Sequence, residues 1–190
     1  MSRRNAQPVR LKLSPRQRST RTFEERLALR CPWFADLLAR MIALRPPKSR
    51  LRQALLSRTV QNGLAAYDRG DIEAIILAFD PDAEFQAPPD HGQEGILGFR
   101  PSYRGHHGYR EFDADWRGSW EALRVEPQEL IDLGDRLLLL ASMTARGRGS
   151  GVSISQNIAI LQTLDSAGKI IREQRFFDHA EALKAVGLEE

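Results

Sequence analysis

The chain has 190 residues, 42% of them hydrophobic, and a formal net charge of +3. That length suits one domain with an appendage. The single Cys31 excludes an intramolecular disulfide and a thiolate zinc cluster, and no apolar run is long enough to cross a bilayer as a helix. A reducing cytoplasm is the expected setting.

Charge is sorted along the chain. Residues 1–50 hold 13 Lys and Arg against 3 Asp and Glu; the rest hold 15 against 22. A basic arm on an acidic body can reach nucleic acid or an anionic membrane. Contact with its own body, or plain solvation, is the preferred reading. The Arg-rich start leads into no apolar stretch with a small-residue cleavage site, so it does not read as a secretory signal.

Residues 1–21 are polar, aperiodic and expected to be disordered. Residues 22–48 read as a helical extension. Thr22-Phe-Glu-Glu25 is a capping box that starts a helix over 22–30. Pro32 separates it from a second helix over 33–44. Short helices are marginal alone, so this pair is expected to pack on its own domain or a dimer partner rather than lie on a membrane. The body begins with a long helix over 49–69, whose stripe is Leu51, Leu55, Val60, Leu64 and Tyr67. Gly70 ends it, and Asp71 is placed to cap a short helix over 72–79. A short strand is expected over 83–86, then a long Pro/Gly loop over 87–105 of the kind that serves as a lid or binding loop.

A helix over 106–120 carries an aromatic stripe of Tyr109, Phe112, Trp116 and Trp120. The following strand over 123–131 contains Pro127, which cannot donate to a ladder and so predicts an edge or a bulge. Three long strands follow, over 136–146, 152–164 and 169–177, joined by Gly-rich turns that predict antiparallel hairpins. Asp178-His-Ala-Glu181 then starts a closing helix.

The order of elements resembles the SnoaL-like branch of the nuclear-transport-factor-2-like superfamily. The residues that carry the likeness are Ala65–Asp71, Phe79–Phe85, Tyr103–Phe112 with Trp116, Glu126–Asp135, Gly168–Ile171 and Phe177–Leu183. It spans about residues 53–187. The resemblance implies an α+β cone: a strongly curved antiparallel sheet wrapped around helices, with a cavity at one end. It also implies a homodimer and a small apolar ligand. Relatives include polyketide cyclases, ketosteroid isomerases, epoxide hydrolases and dehydratases. One fold hosting many reactions leaves the chemistry to the side chains.

A carboxylate or imidazole in an apolar cavity has its pKa moved toward the working pH. Asp178, His106 and His91 are the catalytic candidates. Asp178 is equally well placed as a helix N-cap, which is its preferred role. Tyr67, Tyr103, Trp116, Trp120, Gln156 and Gln174 are the candidate ligand contacts, since buried polar groups need partners and a ligand can be one. No motif calls for a metal or a cofactor. The reading is a small-molecule cavity protein, either a cofactor-free isomerase, cyclase or hydrolase, or a non-catalytic binding or dimerisation module. It favours the enzyme if a carboxylate or imidazole reaches the cavity.

Overall fold

The computed structural model describes residues 7–13, 18–86, 100 and 102–188. Its elements in order are β1 (Val9–Lys12), α1 (Phe23–Arg30), α2 (Pro32–Ala43), α3 (Arg50–Asp68), α4 (Ile72–Ile76), β2 (Phe79–Gln86) and β3 (Ser102–Arg104). Then come α5 (Gly105–Gly118), β4 (Trp120–Asp132), β5 (Arg136–Gly147), β6 (Ser153–Leu164), β7 (Ile170–Phe176) and α6 (His179–Ala185). The strands form one curved, unclosed sheet in the order β1-β4-β5-β6-β7-β2-β3.

The long hairpins form as the Gly-rich turns predict. β5 pairs antiparallel with β6 from Arg136↔Thr163 to Arg146↔Ser153, and β6 pairs antiparallel with β7. Among the described residues, only β2 and β7 run parallel. Pro127 sits at a bulge, where the β4–β5 register shifts between Pro127 and Glu129. Two strands were not expected. β1 lies within the arm read as disordered and pairs with the end of β4, where Val9 faces Asp132. β3 lies at the end of the expected loop and pairs with β2, with Tyr103 opposite Phe85. Trp120 opens β4 rather than closing the preceding helix.

Successive β5 residues serve opposite faces. Leu137, Leu139, Ala141 and Met143 face the concave side and join one core with α3, α4 and α5. Leu138 and Leu140 face the convex side and pack with Ala182, Leu183 and Val186 around α6. One ion pair ties the layers together at full burial. Arg52 of α3 clasps Asp132 at the end of β4 with two bonds of 2.7 and 2.8 Å. Its other donors reach the carbonyls of Ile42, Arg45 and Gly134.

The extension docks on the body. Thr22 and Glu25 close the capping box, and Glu25 also bonds Arg69 of the body at 2.7 Å. Asp71 stands at the N-cap position of α4 without a side-chain cap hydrogen bond, and Arg21 grips its carboxylate with two bonds of 2.7 Å, so it also holds the extension. Asp36 of α2 pairs with Lys169 at 2.6 Å. α2 lies directly against the β6–β7 turn: a Cβ on Gly168 would collide with the Ala39 carbonyl, and Gly168 has φ +84. Gly168→Ala should therefore loosen α2 and lower the melting temperature. The left-handed conformation alone costs about 1–2 kcal/mol for a residue with a Cβ, before the collision is added.

Acid should free the extension first. Burial pushes the Glu25 carboxyl up, but the Thr22 backbone amide and the Arg69 side chain outweigh it and hold the group below its ordinary value. Arg21 holds Asp71 below its ordinary value too. Groups depressed on folding stabilise above their unfolded pKa, about 4 for these carboxyls, and lose that contribution as pH falls through the folded values. Hydrogen exchange, corrected for intrinsic rates, should show residues 23–30 losing protection on acidification before β5 and β6 do.

Candidate functional site

A cavity of about 290 Å³ lies between the concave sheet face, α3 and the extension. Leu137 and Leu139 of β5 and Ile158 and Ile160 of β6 form its apolar wall. Leu55, Val60 and Tyr67 of α3 close one side. Ala35, Leu38, Ala39 and Ile42 of α2 cover it from another. Trp116 and Tyr109 of α5 complete the lining.

Into this wall β7 projects a charged pair. Glu173 is 4% exposed and Arg175 6% exposed, and both line the cavity. Their i, i+2 spacing puts them on one strand face. The ladder fixes which face: Glu173 stands opposite Gln162, and Arg175 opposite Ile160, both cavity residues. Arg175 Nε and Nη2 donate to Glu173 Oε1 at 3.1 and 2.9 Å. Gln162 donates to Glu173 Oε2 at 2.8 Å. A guanidinium carries five N–H donors. Two of those on Arg175 go to Glu173, and no other protein acceptor takes one among the described residues.

The aromatic stripe of α5 backs this pair. The Arg175 guanidinium sits 4.5 Å from the Phe112 ring centroid and 5.6 Å from that of Trp116. Such contacts favour the cation where water is scarce. Burial alone would lower the Arg175 pKa, but the Glu173 carboxylate outweighs it and the net direction is upward. Burial raises both Tyr67 and Tyr109, with Tyr109 the more strongly affected. Both phenols thus keep their protons and remain potential donors. The Tyr67 hydroxyl is buried without a well-formed hydrogen bond among the described residues. Its ring is held by Arg117, which stacks at 4.2 Å, bonds the Tyr67 carbonyl at 2.6 Å and pairs with Asp113 at 2.8 Å.

Two other carboxylates line the cavity, both at the extension. Glu24 pairs with Arg58 at 2.7 Å, and Glu25 is committed to the capping box and Arg69. Among the described residues no group of three or more His, Cys, Asp or Glu could hold a metal ion.

Of the residues expected from sequence, Tyr67 and Trp116 line the cavity. Tyr103 does not; its hydroxyl donates to Asp115 at 2.9 Å and accepts from the Arg100 amide. Trp120 is 9% exposed and sits beside Trp116 with ring centroids 6.1 Å apart, outside the lining. Gln156 and Gln174 are likewise outside it. Gln174 alternates with Glu173 and Arg175, so it points to the other face of β7. Asp178 accepts from the Glu181 amide at 3.0 Å and is the N-cap of α6. His106 contacts the Phe79 carbonyl at 3.3 Å and is not part of the lining. His91 falls outside the described residues.

A family model described as the SnoaL-like domain matches residues 60–173. No curated protein matches. Among solved structures, TerC co-crystallised with polyporic acid is 24% identical with a TM-score of 0.55, covering 69% of this chain and 95% of that one. An NTF2-like protein of unknown function from Burkholderia pseudomallei is 22% identical with a TM-score of 0.55, covering 68% and 95%. SalBIII, described as an epoxide hydrolase/cyclase-like enzyme in pyran ring formation in the polyether salinomycin, is 18% identical with a TM-score of 0.50, covering 64% and 89%. At these identities the likeness is one of fold.

Proposed function

This chain belongs to the SnoaL-like domain family, with the NTF2-like α+β cone fold, and from that premise we propose that it is a cofactor-independent acid–base enzyme acting on a largely apolar carbonyl compound. One observation carries the reading: a buried carboxylate and a buried guanidinium, Glu173 and Arg175, stand side by side on an otherwise apolar cavity wall. The carbonyl oxygen of the substrate accepts a hydrogen bond from a free Arg175 N–H. Glu173 takes a proton from the adjacent carbon, and the electron pair moves onto oxygen as an enolate, which Arg175 stabilises. Donors already aimed at developing charge are worth more in a water-poor site than in water. Where the enolate is conjugated with a C=C bond, return of the proton from Glu173 to the far carbon is an isomerisation; attack of the enolate carbon on a second carbonyl of the same molecule, whose oxygen then takes the proton from Glu173, is a cyclisation.

The test is solvent deuterium exchange. A panel of small enolisable ketones, with 2-tetralone as the first member, is incubated with the protein in D₂O and followed by proton NMR. Loss of the α-proton signal should run faster than in buffer, and Glu173→Gln should remove the acceleration. Ketones that bind without any gain in exchange would make the chain a binding module instead.

A further inference from the structure

The extension has two faces, and only one is used by the cavity. Ala35, Leu38, Ala39 and Ile42 of α2 look inward. Trp33, Leu37, Arg40 and Leu44 follow each other at intervals of four, three and four, which places them on one outward line. Trp33 is 64%, Leu37 46% and Leu44 81% exposed. α1 repeats the pattern with Phe23, 79% exposed, followed by exposed Arg26 and Arg30. Among the described residues, most large apolar side chains left in solvent are thus on the extension, although it is a small part of the chain. Singly exposed apolar residues mean little, but a stripe of them marks an interface.

Charge is sorted the same way. The only acids in residues 1–50 are Glu24, Glu25 and Asp36. Each is paired with a cation of the body: Glu24 with Arg58, Glu25 with Arg69 and Asp36 with Lys169. Arg26, Arg30 and Arg40 pair with no acid among the described residues. The outward surface is therefore aromatic, aliphatic and cationic.

We infer that this outward face, centred on Trp33, Leu37, Arg40 and Leu44, docks on an anionic lipid surface. Tryptophan and leucine suit the headgroup–acyl boundary, and arginine suits anionic headgroups. A second copy is a poorer match, because joining like faces sets arginine against arginine. Sequence favours packing of these helices on their own domain, and the inner face does that. The same helix that covers the cavity then rests on the bilayer, which gives apolar ligands a short path. The inference is independent of the proposed reaction, since lipid binding is read without substrate.

The experiment is co-sedimentation of the full chain with phosphatidylcholine vesicles, with and without phosphatidylglycerol. The protein should pellet with the anionic vesicles, less so as salt rises, and remain in solution with the neutral ones. Trp33→Ser combined with Leu37→Ser should weaken binding about tenfold or more. Each of Arg26→Gln, Arg30→Gln and Arg40→Gln should weaken it about fivefold. These side chains are exposed, and an unchanged melting temperature confirms the fold in each variant. Absence of binding to anionic vesicles, or binding unaffected by the Trp33/Leu37 double substitution, overturns the inference. So does a wild-type dimer in sedimentation velocity that the double substitution turns into monomer, which would assign the face to a second copy.

Discussion

Arg52→Met should destabilise the protein by about 3–5 kcal/mol, the usual cost of removing one partner of a buried ion pair. Arg52 and Asp132 are 1% and 0% exposed, so water cannot replace the lost partner. Methionine fills similar volume, which keeps a cavity from dominating the loss. The damage spreads beyond the pair. The carbonyls of Arg45 and Gly134 lose their side-chain donor at the same time and that of Ile42 loses one of its donors, and these bonds join the end of α2 and the β4–β5 turn to α3. Asp132→Asn should be damaging as well, leaving the guanidinium without its counter-charge. The Arg52→Met, Asp132→Leu double variant should recover part of the loss, because an apolar pair leaves no stranded charge. Urea unfolding followed by circular dichroism measures all three. A near-neutral Arg52→Met would show that the clasp is not a main tie between these layers.

Glu173→Gln should reduce ketone α-proton exchange by about 10²–10⁴-fold, the usual range for a lost general base. Arg175→Met should cost about 10²–10³-fold through the loss of the oxyanion donor. Stability must be separated from chemistry, because each single substitution strands one buried charge. The double variant makes that separation. With both charges gone, its melting temperature should recover toward wild type, while exchange stays at the level of the worse single variant or below. Residues acting as one unit give such non-additive losses. A structural pair alone would move activity and stability in step.

The architecture was legible in the sequence because its signals are local. Glycine turns divide the last three strands, Pro127 marks the β4 bulge, and the Thr22–Glu25 capping box and the Asp178 N-cap open α1 and α6 where expected. β1 was not legible: four residues without an apolar run become a strand only because β4 offers a free edge. The same is true of the three-residue β3.

The site was half legible. Tyr67 and Trp116 stood out as large polar-tipped rings on helical stripes. The buried pair that lines the cavity, Glu173 and Arg175, does not stand out, and the sequence points to their neighbour Gln174 instead. The reason is strand parity, since a one-residue slip exchanges the faces. β7 offers no clue to its own parity. Its polar residues alternate on both faces, and the two phenylalanines at its end serve one each: Phe176 packs in the convex core, Phe177 against the concave one. A register irregularity opposite Ile170 breaks the count from the other end. An acid and a base two apart on a strand was the signal available, and it points to the pair without naming the face.

The most direct test of the central claim is a crystal structure of the wild-type protein soaked with 2-tetralone. The ketone should lie against Leu139 and Ile158. Its oxygen should sit about 3 Å from an Arg175 nitrogen, with the carbon beside the carbonyl facing Glu173. A hollow closed by side chains, or a ketone bound with its oxygen turned away from Arg175, would contradict it.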